Sequence, residues 1–338
     1  MTQTRDLVTV IVPFHNCRDF LGHAISSVLA QSHQDWELIL VDDGSTDDSA
    51  EAAQPYLSDG RVSLVRQPNA GAGAARNAGF ARASGASTFV VFLDGDDVLP
   101  PEFLVRAIEQ LASRPDSTAV RTTAVLVDAD GHRIEAADFA THMNTRRVLD
   151  GRRFVPLEPS RDITFLELFD QSRLYPPACA LIRTEAVRTV GGFASHLAGA
   201  EDWYFFMRLA RLGPIAVMDA PQVSYRRHSS NATSDPVRYV RAARRNWSMT
   251  YHAPDITRAE RRSLSKVWRA RQRDLAQAKW HLALSSPRSR LGMPRLRLAA
   301  ESCGHLLLWR PPKFWMRTGL RRAVDAPSDP RVGYGWHT

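Results

Sequence analysis

The sequence predicts an α/β protein whose mostly parallel sheet is covered by helices on both faces, followed by a helical C-terminal extension. Two observations carry the first part. Between residues 7 and 112 short apolar runs alternate four times with stretches of helical period, and those runs are mostly continuous rather than alternating, as strands buried on both faces are. A third observation carries the extension: residues 1–237 hold 22 Arg and Lys against 30 Asp and Glu, whereas residues 238–338 hold 22 against 6. A body of net charge −8 therefore precedes a tail of +16, a split that the total of +8 conceals. A length of 338 residues accommodates two domains, and the charge step places them at 1–237 and 238–338, the latter basic and rich in Trp.

Taken in order, residues 7–12 form an apolar, β-branched run stopped by Pro13, and residues 18–31 carry Phe20, Leu21, Ala24, Ile25, Val28 and Leu29 at helical spacing. Residues 36–41 are a second strand. They run into Asp42-Asp43-Gly44-Ser45-Thr46-Asp47, where Thr46 or Asp47 suits the cap of a helix reaching about residue 57. Residues 62–65 are a third strand, followed by a glycine-punctuated loop over 68–73 and an alanine-rich helix to about residue 83. Residues 89–93 are a fourth, and Pro100-Pro101 opens a helix to about residue 112.

After a strand over 120–127 the pattern loosens, and 128–160 reads as a hairpin or a long loop. Order returns with 164–170, 177–182, a helix from Thr184, the turn Gly191-Gly192, a helix over 201–212 and a strand over 215–218. In the tail Tyr239, Ala243, Trp247 and Tyr251 share one helix face, and Thr257-x-x-Glu260 matches a capping box.

Several classes are disfavoured. Cys17, Cys179 and Cys303 are too few and too far apart for a disulfide framework or a cysteine-rich zinc site, and a reducing compartment fits them. The apolar run near the N-terminus is too short for a secretory signal, and Arg297, Glu301 and His305 interrupt the longest apolar window of the tail. A cytoplasmic protein without a membrane-spanning helix is expected.

Ligands of parallel sheets bind at the carboxyl ends of the strands, and three polar clusters stand there. The first is Pro13-Phe14-His15-Asn16. The second is the Asp42 to Asp47 run, where an Asp can accept the N3–H of uracil and Gly44 admits close backbone approach, although helix capping alone accounts for residues 45–47. The third, Asp94-Gly95-Asp96-Asp97, crowds three carboxylates at a strand tip, which reads either as a solvated acidic turn or as oxygen ligands for Mg²⁺ or Mn²⁺ shared with a diphosphate.

Elsewhere, the Asn69 to Gly79 stretch lacks the third glycine of a dinucleotide fingerprint. It reads either as a packing helix or as a loop leading Arg76 toward a diphosphate. Glu201-Asp202-Trp203 is either ordinary acidic charge at a helix start or a general base against an aromatic wall, and His228 depends on its neighbours for any ligand role.

Together these motifs, with Ala74-Ala-Arg76-Asn77, Gly191-Gly192-Phe193 and Tyr225-Arg-Arg-His228, occur in the order of family 2 glycosyltransferases with the Rossmann-like GT-A fold, which the sequence resembles over residues 7 to about 230. The resemblance implies metal-dependent, inverting transfer of a sugar from a nucleotide diphosphate-sugar, most often a uridine one, to a hydroxyl acceptor of a cell-surface polysaccharide or glycolipid. It implies a nucleoside pocket at Pro13, Phe14, His15 and Asn16, with Asp43 at the uracil, Arg76 at the base or diphosphate, and Asp94 with Gly95 near the ribose. It further implies Asp96, Asp97 and His228 as ligands of Mn²⁺ or Mg²⁺, and Asp202 as catalytic base with Glu201 beside it. The family usually has Tyr where His15 stands. The rival reading is a catalytically silent, nucleotide-sugar-binding scaffold.

The tail matches no motif. Arg-rich helices with Trp on an apolar side, ending in the segment 306–315, suit an anionic membrane surface that presents a lipid-linked acceptor, while the same residues could pack onto the body instead. No aromatic platform or zinc knuckle marks a nucleic-acid module.

Overall fold

The computed structural model describes residues 6–136, 139, 145–197, 199–219, 222–228, 231 and 236–285. The chain falls into two compact units, one of residues 1–136, 158–168 and 172–235, the other of residues 137–157, 169–171 and 236–338.

The first unit is built on β1 (Val8–Phe14), α1 (Arg18–Leu29), β2 (Trp36–Asp42), α2 (Ser49–Ala53), β3 (Val62–Arg66), α3 (Ala72–Phe80), β4 (Phe89–Phe92), α4 (Phe103–Ala112), β5 (Ala119–Arg121) and β6 (Ala124–Val127). Beyond the hairpin β7 (Arg146–Asp150) and β8 (Arg153–Leu157) come α5 (Phe165–Asp170), β9 (Ala180–Arg183), α6 (Thr184–Val190), α7 (Glu201–Leu212), β10 (Ile215–Val217) and β11 (Val223–Arg226). Helices α8 (Pro236–His252) and α9 (Arg258–Ser285) follow.

Seven strands form one sheet in the order β10-β5-β9-β4-β1-β2-β3. β1 lies parallel between β2 and β4, in register from Val8 opposite Trp36 to Phe14 opposite Asp42. Val10, Ile11, Val12, Leu38, Leu40, Val90 and Val91 are buried, as strands apolar on both faces require. Helix α3 packs close to β1, because a side chain at Gly79 would collide with Ile11.

Four local expectations change. Pro13 does not stop β1: Ile11 bonds to the β4 side through Leu93 N–H and Phe14 to the β2 side through Asp43 N–H, so alternation puts the Pro13 nitrogen toward β4, where pairing has already ended. The expected helix over 46–57 is α2 followed by a 3-10 turn from Gln54, where Pro55 offers no N–H. Helix α4 starts at Phe103, two residues past the proline pair, after Phe103 N–H closes a turn onto Pro100. Residues 120–127 divide between two sheets, β5 in the large one and β6 beside β11. The sheet is mostly parallel as expected, with β9 alone running opposite to β4 and β5.

In the second unit the buried Asp170 carboxylate accepts from Arg147 (2.8 and 3.1 Å) and from Arg271 (3.0 Å). Burial opposes its ionisation, but the two cations outweigh burial and hold it below the usual carboxylate range. The capping box at Thr257 and Glu260 forms with both of its reciprocal bonds.

Trp247 and Trp268 are buried edge to face, 5.0 Å between ring centroids, and Trp247 donates to the carbonyl of Phe169. These two tryptophans pack internally, contrary to a membrane-facing role for the Trp residues as a set, because their rings close a core that the basic faces cannot fill. The side chains of Tyr239, Ala243 and Trp280 and the whole 306–315 segment lie outside the described residues. Among the described residues no helix is long and apolar enough to cross a membrane.

Candidate active site

The loops after β1, β2 and β4 meet at the carboxyl edge of the sheet. Asn16, in the left-handed region at φ 50°, accepts the N–H of Thr46 (2.8 Å), and the Cys17 N–H donates to Ser49 (2.7 Å). The first two loops are thereby tied together. His15 and Asn16 are exposed beside the buried Pro13 and Phe14, with His15 Nδ1 3.0 Å from the carbonyl of Asp43. Gly95 is forced by closeness: a Cβ there would lie 2.9 Å from Phe14 Cβ and 3.3 Å from Cys17 Sγ.

Asp43 is buried, and its carboxylate holds the next loop. Oδ1 accepts from Gln67 Nε2 (2.7 Å) and the N–H of Ala70 (2.9 Å), and Oδ2 accepts the N–H of Gly71 (2.8 Å). A carboxylate offers about four lone-pair positions, so one on Oδ2 is left for a ligand donor.

The β4 loop faces two ways. On one side Asp94 accepts from Arg76 Nη2 (2.6 Å), and Arg76 Nη1 donates to Glu201 (3.2 Å) at the start of α7. Arg76 is thus turned onto carboxylates within the fold, with Phe193 stacked on Phe205 beneath its guanidinium. Burial works against the Arg76 cation, but Asp94 and Glu201 more than offset it and its pKa is raised. Asp202 is half-buried and accepts the N–H of Trp203 (2.6 Å). Burial, then the charge of Glu201, pushes the Asp202 carboxyl up to about 7 despite the opposing effect of Arg76.

On the other side Asp96 Oδ2 lies 3.0 Å from His228 Nε2 and accepts from Asn231 (3.2 Å). The His228 ring stacks on Phe20 of α1, 4.6 Å between centroids. Arg226 binds this corner together: its Nε donates to the Asp96 carbonyl (3.0 Å), Nη1 donates to the carbonyls of Asp128 and Ala129, and its backbone N–H donates to Asp97 Oδ1 (3.0 Å).

The fold brings Asp94, Arg76, Glu201 and Asp202 into one network and Asp96 to His228. It does not bring Asp97 to that pair. Asp97 is fully buried, its Oδ2 has no partner among the described residues, and burial together with Asp96 and Asp94 pushes its pKa well up. Among the described residues, the cluster of three carboxylate or imidazole donors all within 4.8 Å of one another is Asp128, Asp130 and His132. That cluster is an exposed turn in which Asp128 already accepts the N–H groups of Asp130 and His132. Phe20, Asn231 and the hub Arg226 were not singled out by sequence reasoning. Arg226 alone carries a sequence signal, its place two residues before His228.

Sheet order and loop placement define a GT-A protein. The family model described as "Glycosyl transferase family 2" matches residues 9–191, more than half of the chain, and the chain belongs to that family.

Similar proteins include TuaG of Bacillus subtilis (strain 168), a glycosyltransferase named for teichuronic acid biosynthesis, 41% identical over 116 residues, 34% of this chain and 45% of TuaG. The succinoglycan biosynthesis protein ExoW of Rhizobium meliloti (strain 1021) is 30% identical over 204 residues, 59% of this chain and 62% of ExoW. The chain thus spans less than two thirds of either relative. Of solved structures, S. aureus TarS 1-349 in complex with UDP is similar at TM-score 0.58 and 19% identity, covering 90% of this chain and 81% of that one. The mannosyltransferase PcManGT from Pyrobaculum calidifontis, in complex with GDP-Man and Mn²⁺, is similar at TM-score 0.57 and 18% identity, covering 94% and 85%. These two likenesses are of fold.

Proposed function

We propose that the protein is an inverting glycosyltransferase, moving a sugar from a nucleotide diphosphate-sugar, a UDP-sugar by first choice, to a hydroxyl acceptor in cell-surface polysaccharide or glycolipid synthesis. The observation that carries this reading is the double use of the 94–97 loop, whose Asp96 faces His228 while Asp94 reaches the Glu201–Asp202 pair through Arg76. The names of TuaG and ExoW support the polysaccharide setting, and the UDP and GDP-Man complexes of the structural neighbours support a nucleotide-sugar donor.

In this reading residues 1–237 are the transferase domain. Pro13, Phe14, His15 and Asn16 line the nucleoside, Asp43 offers its remaining acceptor position to the base, and Asp94 and Gly95 border the ribose. Arg76 acts through Asp94 and Glu201, holding those two side chains in place beside the diphosphate. Asp96 and His228, a carboxylate and an imidazole on two partly open loops, fit a hard divalent ion such as Mn²⁺ or Mg²⁺ that keeps its other positions for water and phosphate oxygens. When bound, that ion neutralises charge on the departing diphosphate. Asp97 supports the loop from within.

Asp202 accepts the acceptor hydroxyl's proton as the new C–O bond forms on the face opposite the diphosphate. The anomeric bond to the diphosphate breaks, the nucleoside diphosphate leaves, the configuration inverts, and the proton passes from Asp202 to solvent. Residues 238–338, with their charge of +16, meet the anionic inner face of the membrane where a lipid-linked acceptor resides.

The decisive experiment measures transfer or hydrolysis of UDP- and GDP-sugars with Mn²⁺ for the wild type, Asp202→Asn and Asp96→Asn. Losses of roughly 10²-fold or more are expected for the Asp202 variant. Equal activity in all three proteins would overturn the reading.

A further inference from the structure

The second unit carries a cationic ridge for which the transfer chemistry has no use. On α9, Arg258, Arg262, Lys266, Arg269 and Arg273 are separated by 4, 4, 3 and 4 residues. At 3.6 residues per turn they fall within an arc of about 80° and extend over about 22 Å. The first four are exposed and Arg273 is half-exposed. Acidic groups of the helix lie off this arc: Glu260 closes the capping box and Asp274 pairs with Arg147 (2.9 Å).

Folding lengthens the ridge in a way the sequence does not display. Arg273 Nη2 donates to the carbonyl of Arg152 (2.7 Å), which sets the exposed Arg152 and Arg153 of the β7–β8 turn at the end of the stripe, with Asp150 opposite Arg153 in the hairpin. Among the described residues no ion pair engages Arg152, Arg153, Arg258, Arg262 or Lys266.

We infer that this ridge is a docking surface for an anionic phospholipid leaflet. A row of cations along one straight helix face meets a plane of headgroup phosphates along its length, with each charge inside the membrane's surface potential. A nucleic acid is the poorer match, since between Arg258 and Arg273 the arc holds no aromatic side chain on which a base could stack and Trp268 is buried on another face. The inference rests on the reading that residues 238–338 meet a membrane, and it assigns that contact to one face of α9 together with a turn more than 100 residues earlier.

The test uses the full chain and sedimentation with phosphatidylcholine vesicles, with and without phosphatidylglycerol, at low and high salt. Wild type is expected to bind the anionic vesicles in a salt-sensitive way. The R258E/R262E/K266E variant is expected to bind them at least tenfold more weakly, with circular dichroism and hydrolysis of the sugar donor unchanged. R152E/R153E, placed in a turn, is expected to weaken binding as well and keeps the test decisive if the helix variant fails to fold. Wild-type binding by the variants would overturn the ridge alone and leave the contact to the rest of the C-terminal region. No binding by wild type would overturn both the ridge and the membrane reading, and loss of oligonucleotide binding with vesicle binding retained would overturn the lipid assignment.

Discussion

In the proposed transfer, Asp202 turns burial into basicity near neutral pH. An aspartate in water is ionised far below neutrality and is a weak base, whereas burial and the neighbouring Glu201 raise this one to about 7, near the range where a base is both ionised and able to hold a proton. The base must be ionised to act. Turnover is therefore expected to rise with pH through about 7 and level off above it, read from kcat at saturating donor. Stability has the opposite sign. Between the usual aspartate range and about 7 the folded state binds the proton that the unfolded state has released, so this group's contribution falls as pH rises through that window. Asp202→Asn is expected to flatten the stability curve there while abolishing the rise in turnover; a parallel response of wild type and variant in thermal melts would refute the assignment.

Among the elements, the loop after β4 depends most on a residue without a side chain. Gly95 lets that loop lie against Phe14 and Cys17, and both neighbours are fixed, one by β1 and the other at the start of α1. Gly95→Ala forces the loop outward, with an expected cost of roughly 1–3 kcal/mol in thermal stability and weaker UDP binding by titration calorimetry. Unchanged affinity would show that the loop tolerates the shift.

Elements of this kind differ in how far the sequence discloses them. Strands β1 to β4 are legible because each is a predominantly apolar run ended by polar residues, and the loops at their tips supply Asp43, Asp94 and Asp96. The division of residues 120–127 is not legible, since Thr122 and Thr123 interrupt the run without a glycine or proline, and the break is set by partners elsewhere, Cys179 and Val223. The hub at Arg226 is hidden for a similar reason: its acceptors lie about 100 and 130 residues earlier in the chain.

At the scale of the whole molecule, charge is unevenly distributed, acidic over residues 1–237 and basic over 238–338, and the second unit contains a buried ionic core. Asp170 collects Arg147 and Arg271 in a buried site, and its carboxyl is held below the usual range. Asp170→Asn takes this carboxylate from the buried Arg271 guanidinium and leaves Arg147 with Asp274 alone, and it is expected to cost about 3–5 kcal/mol, measured as a fall in the urea midpoint. Because the native pKa is depressed, the stabilisation is complete above the unfolded value near 4 and is lost as pH falls through the native one. A variant as stable as wild type at neutral pH would show the network to be dispensable.

The position of β9 bears on how the molecule is made. β9 lies between β4 and β5, yet it follows β4 by nearly ninety residues and pairs in the opposite direction with both. On a growing chain the edge of β4, an apolar Phe-Val-Val-Phe strip, stays open while everything up to residue 183 is synthesised. Until β9 arrives, the β1–β4 half of the sheet can form its local contacts but cannot join β5 and β10 across the gap. Helix α7 with Glu201 and Asp202 comes later still, so during synthesis the carboxyl edge of β1, β2 and β4 can take shape before those two carboxylates exist.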